Sequence, residues 1–150
     1  MSYAREMISL EEDCFRDWPT AWAVVAFPHA LTLDPRLVAA LWKTNAGSPL
    51  VLNGAPIQNI TALVDDPLLA VRPILRLSDT SRGWELLCSN VGSFALFGAT
   101  PSVIAGLWDA DARAVLVEEF EAWVDDRCVG FGDTGVKFAR DHLLPRVRAV

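Results

Sequence analysis

Hydrophobic and polar positions follow two rhythms along this chain, and the rhythm changes near residue 100. Up to that point the clearest period is two. Val71, Pro73, Leu75 and Leu77 alternate with Arg72, Ile74 and Arg76. After the polar stretch SDTSRG, Trp84, Leu86 and Cys88 alternate with Glu85, Leu87 and Ser89. Alternation of this kind marks strands with one apolar side and one mixed side. A second turn near Asn90-Val91-Gly92 returns the chain through Ser93 to Ala99, so 71–99 is expected to be a three-stranded meander. Placing Leu77 opposite Trp84 sets Arg76 opposite Glu85, and opposite charges across a pair help hold a register.

Beyond residue 100 the period becomes helical. In Asp109 to Cys128, Val117, Phe120, Trp123, Val124 and Cys128, with Leu116 beside them, fall on one side of a helix. Glu118, Glu121, Asp125 and Asp126 fall elsewhere and can stay in water. Asp109 or Asp111 can cap the first turn, where negative charge also suits the helix dipole. The apolar stripe needs a partner, and the preceding meander is the expected one. Thr100-Pro101 opens a shorter helical turn just before it.

Other signals complete the pattern. Ser9 and Glu12 fit a capping box for a short helix over Leu10 to Asp17, stopped by Pro19. Ala21 to Phe27 is a continuous apolar run closed by Pro28, which fits a buried strand; periodicity alone leaves helix open there. Asp34-Pro35 places a cap before a proline at the first helical position. Leu37, Val38, Leu41 and Trp42 then form a stripe, with Gly47 as terminator. Asn53-Gly54 is the favoured pair for a two-residue hairpin turn, and Pro56 puts that hairpin at a sheet edge. Gly130, Gly132 and Gly135 loosen the link to a last helix that starts at Asp133 or Thr134 and runs to Pro145. The expected architecture is one α+β domain over 1–150. An antiparallel sheet of about five strands, a meander, packs against the long helix, with shorter helices around it.

Composition changes this picture in two ways. The 150 residues are 52% hydrophobic and only 21% charged, with six tryptophans. That excludes a disordered chain and leaves apolar surface that a second copy would cover. The net charge of −6 argues against nucleic acid as a partner, since phosphate contacts depend on Lys and Arg. The longest apolar runs fall far short of the ~20 residues of a membrane span. The first residues carry acids and no apolar signal core, so the expected location is the cytoplasm. Three scattered cysteines, Cys14, Cys88 and Cys128, fit free thiols better than a disulfide framework or a zinc site.

Candidate chemistry is sparse. His29 follows Pro28 in a loop, where it can serve as an acid or base or simply sit in solvent. His142 lies on the last helix, where its neighbour Asp141 points elsewhere. Cys88 and Cys128 fall on apolar stripes, and Cys14 sits among acids that disfavour a thiolate. The acidic pairs Glu118-Glu119 and Asp125-Asp126 do not converge on a metal, and the glycines of 130–135 lack the Lys-Ser/Thr of a phosphate loop. No cofactor or metal is implied, and no catalytic residue stands out. The most suggestive group is Arg72, Arg76, Glu85 and Ser89, all on the mixed side of the meander. If another layer covers that side, they form a polar pocket for a carboxylate or other small anion, with arginine as a two-pronged donor. If it faces water, they are ordinary surface residues of a one-sided sheet.

Three function classes follow. One is a non-catalytic binding or interaction protein, homodimeric, using surplus apolar surface. Another is a small-molecule (anion) binding protein or small enzyme, with a pocket made by Arg72, Arg76, Glu85, Ser89 and His29. An inhibitor that presents an acidic helix to a basic protein partner is a third.

Overall fold

The computed structural model describes residues 18–28, 34–45, 49–58, 74–79, 83–89, 94–127 and 147 of the chain. The elements expected over 10–17 and 133–144 lie outside them, as does Gly47. Six strands form one sheet: β1 (Ala23–Pro28), β2 (Leu50–Leu52), β3 (Ala55–Ile57), β4 (Ile74–Asp79), β5 (Trp84–Ser89) and β6 (Phe94–Ala99). Their order is β1-β6-β5-β4-β2-β3, and every pair is antiparallel. Among the described residues three helices have assigned bounds: α1 (Pro35–Asn45), α2 (Pro101–Leu107) and α3 (Ala110–Arg127). The fold is α+β.

Local chemistry explains the element ends. Asp34 caps α1: its carboxylate accepts the Arg36 amide at 2.8 Å, and its carbonyl accepts the amides of Leu37 and Val38. Of the two candidate caps on α3 the structure uses Asp109, whose carboxylate accepts the Ala112 amide at 2.8 Å. The α2 start differs from expectation in one detail. Pro101 begins the helix, but the Thr100 hydroxyl makes no capping bond; it lies 3.3 Å from the Ser102 hydroxyl.

The Asn53-Gly54 turn has positive φ at both residues, 49° and 84°, as a type I′ turn requires. Asn53 also fastens the hairpin to β4. Its amide donates to the Arg76 carbonyl at 2.8 Å, and its side-chain oxygen accepts the Arg76 amide at 2.7 Å. Beyond a two-residue turn the second pair, here Val51 and Pro56, aims its backbone groups away from its partner. Pro56 therefore removes a donor on the outer edge of β3, where a free N–H would invite another strand.

The meander forms, with a register two residues away from the expected one. Leu77 pairs with Leu86, not Trp84, and Ser78 pairs with Glu85. The cause lies in the turn. β4 continues to Asp79, whose carboxylate accepts the Gly83 amide at 2.7 Å and shortens the connection. A shift of two keeps every side chain on its expected side. Leu75, Leu77, Trp84, Leu86 and Cys88 share one apolar core, with Val25, Phe27 and Phe97 from the neighbouring strands. Leu37, Ala40 and Leu41 of α1 and Ile104 of α2 cover it. Phe97 lies between Trp84, stacked at 5.5 Å, and Trp108, edge-on at 5.3 Å. Trp42, expected in the α1 stripe, is instead 41% exposed.

The position of α3 corrects a second expectation. Phe120 and Val124 are buried, but not over the meander's oily side. They pack with Val24, Ala26, Leu87, Phe94 and Leu96 on the opposite face, together with Trp18 and Val147. Leu116 joins the first core, with Ala112 packed against it. The helix follows the edge strand β1 and contributes to both sides of the sheet. The reason is β6: all six of its residues are buried, so the sheet is apolar on both faces where β1, β6 and β5 meet. Covering that edge also removes a free strand margin.

Candidate functional site

Arg76 and Glu85 lie together on the second face, beside the apolar patch under α3. Reading across the strands, one row holds Val24, Gly98, Glu85, Ser78, Val51 and Pro56; the next holds Ala26, Leu96, Leu87 and Arg76. Both rows begin apolar at β1 and turn polar at β5 and β4. Arg76 and Glu85 are thus diagonal neighbours, not direct partners, yet long side chains reach across a diagonal. The Arg76 Nε donates to Glu85 Oε1 at 2.9 Å, and its terminal nitrogen donates to Oε2 at 3.2 Å. This is the two-pronged geometry of a strong arginine–carboxylate pair.

A third group completes the site, and it comes from outside the meander. The indole N–H of Trp18 donates to Glu85 Oε1 at 2.8 Å. Its ring covers Gly98, the register partner of Glu85. Trp22 lies beside it, with ring centroids 5.9 Å apart. The layer that covers Glu85 is therefore an aromatic ring from the segment leading into β1. The carboxylate is only 14% exposed, whereas the Arg76 side chain keeps 36% of its surface in water. Glu85 is the pivot: it neutralises the arginine and satisfies a buried indole donor at once.

Of the other proposed members, position 89 ends β5, with Ile74 and Phe94 as its register partners. Arg72 and His29 lie outside the described residues, as do His142, Cys14 and Cys128. The structure brings together Arg76 and Glu85 and adds Trp18. No motif announces Trp18. Its one legible signal is Gly98, a glycine inside a strand pattern, which marks a place where another group approaches closely.

A second charged cluster ties helices together. Arg36 bonds both oxygens of Asp34, and its terminal nitrogen reaches Glu119 of α3 at 2.7 Å. The Arg36 bond holds the Asp34 carboxyl below the usual aspartate range, against the opposing effect of burial. Asp34 in turn raises the Arg36 guanidinium above its ordinary value, with help from Glu119. Lys43 donates to the Gly106 carbonyl at 2.8 Å, joining α1 to the last turn of α2.

Cys88 is buried in the first core, and loss of hydration pushes its thiol up to about 12. A thiol in that state is not a nucleophile at neutral pH. Among the described residues no three His, Cys, Asp or Glu side chains converge as a metal site, and no helix is long and apolar enough to cross a membrane. A small crevice lies between β1 and α3, lined by Val24, Val25, Ala26, Arg113, Leu116, Val117 and Val147. Comparison with protein-family models, with curated proteins and with solved structures found no match in any of the three.

Proposed function

We propose that this chain is a non-catalytic interaction protein of the cytoplasm that works as a homodimer. The observation that carries the reading is the closed state of the polar site. The Arg76 fork already engages Glu85, and Glu85 already serves Trp18. A free anion would have to displace a carboxylate that is covalently present and three-quarters hidden or more. The candidate nucleophile Cys88 is held by burial as a neutral thiol. Apolar side chains meanwhile stand in solvent on two helices, Trp42 at 41% and Val115 at 47% exposure. Exposed Trp is enriched at protein interfaces.

Sedimentation equilibrium of the full chain at micromolar concentration tests this reading. The expected result is a dimer, with no rise in melting temperature from sulfate, phosphate or citrate. A monomer at all concentrations, together with clear stabilisation by one of these anions, contradicts it. That outcome supports the anion-binding reading, for which the partly exposed Arg76 is the natural donor.

A further inference from the structure

The Asn53-Gly54 turn carries chemistry that no other pair in the chain shares. Asparagines at 45, 59 and 90 are followed by alanine, isoleucine and valine, and Asn53 alone precedes a glycine. The distinction is steric. A side chain crowds the backbone nitrogen of its own residue, most of all when it branches at Cβ, and glycine has none. Both turn residues are exposed, and nothing lies within 4 Å of the point where a Cβ on Gly54 would stand. Solvent therefore reaches this bend of the chain.

The turn holds its two central residues without using all their groups. The hydrogen bond that closes such a turn runs between the flanking residues, so the Gly54 nitrogen is not needed to hold it. Asn53 is anchored on its other side, where its side-chain oxygen accepts the Arg76 amide at 2.7 Å. Attack at the side-chain carbonyl carbon puts negative charge on that oxygen. A fixed backbone N–H at this distance is a suitable donor for the charge. The same bond draws electrons away from the carbon beforehand.

We propose that Asn53 is a site of spontaneous covalent modification in the folded protein, converting to aspartate and isoaspartate. The Gly54 nitrogen, its proton taken by hydroxide, bonds to Cγ of Asn53. The Cγ–Nδ2 bond breaks, and Nδ2 leaves as ammonia with a proton from water. A five-membered cyclic imide remains, and water then opens either of its carbonyls. Opening at Cγ gives aspartate, which tolerates a positive φ and keeps an oxygen for the Arg76 amide. Opening at the main-chain carbonyl gives isoaspartate, whose backbone runs through Cγ. That product lengthens a two-residue loop by one backbone atom, and loop length sets the turn type and the register of the hairpin. The pairs Leu50–Ile57 and Leu52–Ala55 then lose their alignment, and β2 becomes an unguarded edge. One reaction that consumes only water thus yields a silent product and one that opens the sheet at its margin.

The experiment incubates the folded full-length chain at mildly alkaline pH and follows each asparagine by peptide mass spectrometry. Electron-transfer fragmentation separates aspartate from isoaspartate. Asn53 is expected to convert at least about tenfold faster than Asn45, Asn59 or Asn90, at a rate that rises with hydroxide. Asn53→Gly keeps a turn-forming pair without the side-chain amide, so its ammonia release should fall to that of the three remaining sites. The purified isoaspartyl form should melt below both the wild type and Asn53→Asp, which stands for the other product. Conversion no faster than at the other asparagines, or conversion of Asn53 seen only in urea, overturns the assignment. An isoaspartyl form that melts with Asn53→Asp overturns the effect on the hairpin.

Discussion

The two faces of the sheet are built by different rules. The first is closed in the ordinary way: Leu75, Leu77, Leu86 and Phe97 point into one apolar core, and α1 and α2 lie over them. The second changes character part-way across. Under α3 it is apolar, with Leu87, Phe94 and Leu96 against Phe120 and Val124. At β5 and β4 it becomes polar, and Trp18, with Trp22 beside it, covers the boundary. The contrast shows how the described elements roof the sheet on both faces. One long helix set along the edge strand serves both cores, and a ring with a polar end covers the seam. Tryptophan suits that seam because its body is apolar while its N–H can satisfy a charged acceptor.

The largest expected effect breaks the first face. Phe97→Ala removes the ring between Trp84 and Trp108 and should destabilise the protein by about 3–5 kcal/mol in urea unfolding. Phe120→Ala does the same on the second face, where the ring stacks on Trp123 at 5.3 Å. Comparable losses would show that the two cores share the load. A loss under about 1 kcal/mol for Phe120→Ala would mean that the second face contributes little.

Gly98→Ala sharpens the comparison at the seam. In an ordinary strand this change is neutral or helpful. Here the added methyl meets the Trp18 ring at 2.6 Å, so the expected cost is about 1–3 kcal/mol, with a shift in tryptophan fluorescence. The smallest effect is at the α1 cap. The lowered Asp34 carboxyl contributes stability that is fully present above the ordinary aspartate range and is lost as the pH falls through its depressed folded value. Melting temperatures followed from pH 5 down to pH 2 should show this limb shallower in Asp34→Asn, once its lower starting stability is allowed for.

Much of this architecture is legible from residue pattern. Asn53-Gly54 forms the expected hairpin, and Pro56 marks the free edge. The two-residue period of the meander assigns each side chain to its side even though the register is displaced, because a shift of two preserves alternation. Three features escape the pattern. The Asp79–Gly83 bond that sets the turn length is a local hydrogen bond without periodic trace. The placement of α3 over β1 depends on which strand joins which edge, a long-range choice that helical spacing does not encode. Trp18 belongs to the site through tertiary contact across 67 residues of chain. Of the candidate site, Arg76 and Glu85 could be paired in advance because charge and alternation both point to them. The third partner was hinted at only by a glycine within a strand.

Trp18, Glu85 and Arg76 form one joint over the seam of the sheet. A double-mutant cycle measures it directly, using Trp18→Phe, which keeps a ring and loses the N–H, and Glu85→Ala, which removes the acceptor. Urea unfolding of the four proteins should give a coupling of at least about 0.5–1 kcal/mol, because either single change already breaks the shared bond. Strictly additive losses would show that the indole and the carboxylate act independently, and would contradict the account.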